Sequence, residues 1–163
     1  MPEGSKTKAK PKAKAEAEGG KTIVLDASRL IFGRMCSYAA KKLLSGHRIV
    51  ILNAEKTVLS GRRQPHVEEA KGFLEIGAYR KGPYHPRRPD RIVKRAIRGM
   101  LPRRKPRGIE ALKRLKVYIG TPEGFKNAAI EIPMEADASR LQGPRFVLGD
   151  LAKEIGWKPL GED

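Results

Sequence analysis

Fourteen of the chain's thirty-five lysines and arginines fall between Arg80 and Arg114, a stretch holding only two acidic residues, Asp90 and Glu110. Such a segment cannot be buried on every side, because each unpaired cation taken out of water carries a large desolvation cost. It must lie on a surface, pinned by its few apolar side chains, and its self-repulsion calls for a polyanionic partner. Elsewhere the charge is modest or reversed: residues 121–163 carry five basic and eight acidic side chains, within an overall net charge of +17. Solubility alone does not require that clustering, so nucleic acid is the expected partner. A membrane is the weaker reading, since no apolar run approaches the roughly 20 residues of a spanning helix.

The apolar side chains of the segment indicate how it is held. At about 100° per residue, Ile92, Val93, Ala96, Ile97 and Met100 share one half of a helical wheel, and Arg91, Lys94, Arg95 and Arg98 share the other. Pro89 suits the first turn and Asp90 the positive end of the helix dipole. A second helix is expected over Pro106 to Arg114, with Ile109, Leu112 and Leu115 buried. Between the two, Pro102 and Pro106 keep Arg103, Arg104 and Lys105 out of a regular helix. With Arg107, these side chains can follow an irregular phosphate path, the guanidinium forks taking oxygens in pairs. Upstream, residues 77–89 read as an extended Gly- and Pro-rich loop. There Tyr79 and Tyr84 are interleaved with Arg80, Lys81, His85, Arg87 and Arg88, and stacking on unpaired bases and ordinary packing are both open for the tyrosines. The expected RNA-contacting set is completed by Lys113 and Arg114, and by Arg62 and Arg63 outside the basic segment.

The rest of the chain supplies a body for this segment. Residues 1–21 repeat Lys and Ala with no apolar side chain larger than Ala after Met1, and are expected to form a disordered basic tail. Thr22–Asp26 is a short apolar run with strand character. Ser28 stands where a helix N-cap belongs, and from Arg29 onward Phe32, Cys36, Ala39 and Leu43 form a stripe flanked by Met35 and Ala40. Gly46 marks the stop, and His47–Asn53 repeats the strand pattern. Strand, helix and strand with short links predict parallel pairing. Thr57–Ser60 is a further short strand, Pro65 opens a helix bearing Val67, Ala70 and Leu74, Lys116–Gly120 reads as a strand, and Val147–Trp157 as a last amphipathic helix. No leader is expected, because the first apolar run begins only at Ile23.

Catalytic and cofactor patterns are missing. There is no phosphate-binding loop, and the turn after the first strand is Asp26-Ala27-Ser28, with no glycine for a pyrophosphate to approach. His66 and Glu69 have helical spacing but lack a third metal ligand nearby. Cys36 lies on the apolar stripe as a small core residue, and a lone cysteine fits a reducing cytosol. Asp26 is best placed as a turn or capping residue. No cofactor, metal or catalytic residue is expected.

Several ordered motifs carry a family resemblance. Val24-Leu25-Asp26-Ala27, Gly33-Arg34, Ile51-Leu52-Asn53-Ala54-Glu55-Lys56, Ser60-Gly61, Ala96-Ile97-Arg98-Gly99-Met100-Leu101-Pro102 and Leu115-Lys116-Val117-Tyr118 resemble, in the right order over residues 22–125, the universal large-subunit ribosomal protein thirteen family. The Gly82-to-Pro89 loop resembles its archaeal and eukaryotic branch. The resemblance implies a three-layer α/β/α fold around a small, mostly parallel sheet of about four strands. It also implies a structural, non-enzymatic role in the cytoplasm, in the ribosome, with large-subunit ribosomal RNA and neighbouring ribosomal proteins as partners and a part in subunit assembly. On this view residues 22–125 form the RNA-binding domain, and residues 126–163 are an extension packing on it or on a neighbouring protein. The alternatives are an α/β enzyme acting on nucleic acid and a non-specific DNA-binding protein.

Overall fold

The structure, a computed structural model, describes residues 20–78 and 81–159. The expected tail lies almost wholly outside the described residues, as do Tyr79 and Arg80. In chain order the strands and helices are β1 (Thr22–Asp26), α1 (Phe32–Leu44), β2 (Arg48–Leu52), β3 (Val58–Ser60), α2 (Arg63–Glu75), α3 (Pro89–Met100), α4 (Pro106–Lys113), β4 (Leu115–Val117), β5 (Ile130–Glu131), β6 (Arg145–Val147) and α5 (Leu148–Glu154).

The central sheet has the order β4-β2-β1-β5 and is parallel at every pairing. β1 and β2 run in register from Thr22 opposite Arg48 to Asp26 opposite Leu52, the parallel pair expected from the strand–helix–strand pattern. Successive side chains alternate between faces. Ile23, Leu25, Ile49, Ile51 and Leu115 pack with Met35, Cys36, Ala39 and Leu43 of α1, Val93 and Ile97 of α3, Ala111 of α4 and Leu148 of α5. Val24, Val50 and Leu52 meet Tyr118, Phe125 and Ala128 on the opposite face. Three layers result, the third a thin cover built around a 3-10 turn at Glu123–Phe125. β3 and β6 form a separate antiparallel pair.

α1 ends as its sequence predicts. Gly46 has φ of 95°, a left-handed conformation glycine adopts without strain, and the Gly46 and His47 amides donate to the Leu43 and Lys42 carbonyls, both at 3.1 Å. Its start differs from the expectation at Arg29. Asp26 caps a 3-10 turn over Ala27–Arg29, accepting from the Ser28 amide at 3.1 Å, and α1 begins only at Phe32. Leu30 and Ile31 stay extended and buried, bridging to Asp137 and Val58. Backbone hydrogen bonds to distant segments, from the Ile31 amide to the Ala136 carbonyl and from the Val58 amide to the Leu30 carbonyl, hold both residues extended, and local helical periodicity cannot register them.

α3 follows the wheel closely. Pro89 occupies its first turn, Val93 and Ile97 are wholly buried, and Arg91, Lys94, Arg95 and Arg98 are exposed. Met100 departs from the wheel: it is 45% exposed, and Leu101, just past the helix end, takes the buried position. α4 is rotated from the expected phase, with Gly108 and Ala111 facing in and Ile109 51% exposed. The expected strand at Lys116–Gly120 begins one residue earlier and is shorter, and the last helix ends at Glu154.

Two aspartate substitutions on α3 test this packing. Ile97→Asp should abolish the cooperative thermal transition, because it buries an unpaired charge. Met100→Asp should move stability by about 0.5 kcal/mol or less. Circular dichroism melts of the two variants decide the point, and similar melts would refute the orientation of α3.

Candidate nucleic-acid interface

The turn at Leu101–Lys105 joins α3 to α4, and Tyr84 and Pro86 of the loop before α3 border the space beside both helices. The space between them is a groove of about 660 Å³ lined by Tyr84, Pro86, Arg91, Lys94, Arg95, Arg98, Leu101, Arg103, Arg104, Gly108, Ile109 and Leu112. Six of these carry guanidinium or ammonium groups, and none of the described lining residues is acidic. Each cation is placed by local structure: four by the helical repeat of α3, and Arg103 and Arg104 by the proline-bounded turn. The Arg95 guanidinium donates to the Tyr84 carbonyl at 3.2 Å, fastening the loop to α3. Gly108 sets the closeness of α4, since a Cβ there would lie 2.2 Å from the Pro102 carbonyl oxygen.

The other predicted contact residues divide by what they touch. Arg107 and Arg114 donate to the Leu44 and Leu43 carbonyls at 3.0 and 2.9 Å. They satisfy the C-terminal end of α1 and place positive charge at the negative end of its dipole. Arg63 pairs with Glu154 of α5, and Arg88 with Asp90 at 3.2 Å. The His85 ring stacks on Phe73 of α2, with centroids 5.5 Å apart. Arg62, Lys81, Arg87, Lys105 and Lys113 are exposed outside the groove lining. Charge counting had no means of finding the apolar floor of Leu101, Ile109 and Leu112. Nor did it find a second cleft, of about 380 Å³, between α1 and the turns at 134–140, where Arg34, Lys41 and Arg140 stand beside Tyr38 and Glu135. Arg140 is remote in sequence from the α1 residues, so no local pattern joins them.

Residues 20–124 match the family Ribosomal protein L13. A large ribosomal subunit protein uL13 from Methanococcoides burtonii is 44% identical over 136 residues, covering 83% of this chain and 98% of the relative. Those of Methanopyrus kandleri and Aeropyrum pernix are each 44% identical, covering 85% and 83% of this chain and 89% and 90% of their own lengths. The chain belongs to the ribosomal protein L13 family. It is a structural protein of the ribosome, of the archaeal branch, and not an enzyme.

The motifs shared with the L13 family acquire physical roles here. Asn53 adopts a left-handed conformation with φ of 53°, donates to Asp26 Oδ1 at 2.9 Å, and accepts from the Thr121 hydroxyl at 3.3 Å. Glu55 accepts from the Gly120 amide at 3.1 Å. Burial alone would raise the Asp26 carboxyl, but hydrogen bonds from Asn53 and Ser28 outweigh it and hold the group below its usual range. The Asn53-Ala54-Glu55-Lys56 motif therefore ties together the ends of β1, β2 and β4. Burial pushes the Cys36 thiol up to about 12, so it stays protonated and unreactive.

Glycine substitutions should separate the groove's close approach from ordinary helix. Gly108→Ala should cost about 1–3 kcal/mol through overpacking against Pro102. Gly99→Ala, whose new methyl meets nothing within 4 Å, should stabilise by about 0.4–1 kcal/mol. Denaturant titrations measure both, and a neutral Gly108→Ala would contradict the tight α4 packing.

Proposed function

We propose that this chain is a structural constituent of the large ribosomal subunit that binds and stabilises folded large-subunit ribosomal RNA, by shape and phosphate-backbone recognition, and thereby aids subunit assembly. The observation that carries this reading is the groove between α3 and α4, where six cations converge with no carboxylate among the described lining residues. Phosphate oxygens are the acceptors such donors suit, and arginine forks can take them in pairs. Lys81, Arg87, Lys105 and Lys113 extend the positive surface beyond the groove, while Arg107, Arg114 and Arg63 contribute through the packing they maintain. Residues 22–125 are the RNA-binding part in this reading, and the net negative residues 126–163 are an extension that packs on the domain or on a neighbouring ribosomal protein.

The double variant Lys94→Glu/Arg98→Glu tests it. Both side chains are exposed, so the melting midpoint of the isolated protein should change little. Affinity for large-subunit ribosomal RNA should fall at least tenfold. The slope of log K on log salt should shrink by about 1.5, since each phosphate no longer neutralised removes about 0.7–0.9. In cells, the variant should be depleted from large subunits on sucrose gradients. Wild-type affinity, salt slope and incorporation in this variant would overturn the reading.

A further inference from the structure

The groove contains a feature that backbone recognition does not use. Phosphate contacts require donors on an accessible surface and gain nothing from an apolar floor. Yet Leu101 and Leu112 form that floor, together with Ile109, an aliphatic side chain left 51% exposed. The volume of about 660 Å³ lies within the roughly 300–1,000 Å³ of sites that enclose a small organic group. Tyr84 lines the same groove with 77% of its surface exposed, and Arg95 holds its backbone in place. An aromatic face beside a cationic track is the arrangement that binds unpaired nucleotides, because every base offers a π-face and every linkage a charge.

We propose that the groove receives an unpaired nucleotide, a base turned out of a folded RNA. The base lies over the apolar floor with one face against the Tyr84 ring, and its flanking phosphates lie against Arg91, Lys94 and Arg98. This rests on the RNA-binding reading above and sharpens it from backbone contact to a site for a looped-out base. A continuous duplex keeps its bases stacked inside and has no face to present to Tyr84.

The test uses the full chain and two RNA hairpins with the same stem, one fully paired and one carrying a single unpaired 2-aminopurine. Affinities are measured by fluorescence anisotropy at one fixed salt concentration. The bulged hairpin should bind about fivefold or more tightly than the paired one, the scale of one base–aromatic stack. Its 2-aminopurine emission should be quenched on binding. Tyr84→Ala should abolish both the preference and the quenching, and Tyr84→Phe should keep them. Equal affinity of the wild-type protein for the two hairpins, or a preference that survives Tyr84→Ala, overturns the inference and leaves RNA binding standing. Binding of an acidic peptide such as polyglutamate in the groove, with neither hairpin bound, overturns both.

Discussion

Val93 and Ile97 of α3 lie beneath the exposed row of Arg91, Lys94, Arg95 and Arg98, and the arrangement of that row depends on them. Each is wholly buried against α1 and the sheet, worth about 1.5–3 kcal/mol apiece. On the opposite face Arg91, Lys94, Arg95 and Arg98 form four like-charged pairs at helical spacings of three and four. Each pair opposes the helix by only about 0.2–0.5 kcal/mol. The anchor therefore exceeds the repulsion, and α3 can present a row of cations before any partner arrives. A polyanion then converts that repulsion into attraction without having to order the helix first, which removes one of the main costs of binding.

The same sheet has a place where α/β proteins commonly put chemistry. Strand order reverses between β1, which leads toward β2 and β4, and β5 on the other edge. In open α/β sheets, ligands favour the crevice at the carboxyl ends of the strands at such a point. Here the crevice is engaged from within. Asp26 at the end of β1 accepts from Ser28 and Asn53, Asn53 accepts from Thr121, and Glu55 receives the Gly120 amide. A carboxylate held ionised by such bonds is a poor general base. The strand ends thus serve the fold, and the exposed cations stand on the helical layer instead.

The elements readable from the chain were those specified by neighbours in sequence. The β1–α1–β2 unit shows itself through short apolar runs and a stripe of period 3.6, and α3 through complete segregation of its two faces. The glycine-ended stop of α1 was equally local. What escaped depends on contacts between distant residues. α1 starts late because Leu30 and Ile31, themselves buried, form backbone bridges to Asp137 and Val58. β5 and β6 are two and three residues long, too brief for an alternating pattern, and exist only as partners of β1 and β3. The candidate site divides in the same way. Its cations were visible as a charge run, but the commitment of Arg107 and Arg114 to the end of α1 depends on the packing of α4 beside α1.

The phase of α4 shows why the groove has a floor at all. A helix rotated to bury Ile109 would follow its own periodicity and, since that side chain is now 51% exposed, would gain about half of the ~1.5–3 kcal/mol of a full burial. Instead Gly108 faces inward, close enough to the Pro102 carbonyl that no Cβ would fit, and Ala111 fills the core. Two small residues let α4 approach the turn at Pro102, and the approach brings Leu112 and Ile109 to the inner side of the groove. Arg107 at the start of α4 and Arg114 at its C-cap each donate to an α1 carbonyl, and these bonds hold that rotation. The isolated protein thus leaves an aliphatic surface uncovered between rows of cations. Water is a poor occupant for such a surface, and a group with an apolar face and an anionic linkage on either side suits it better.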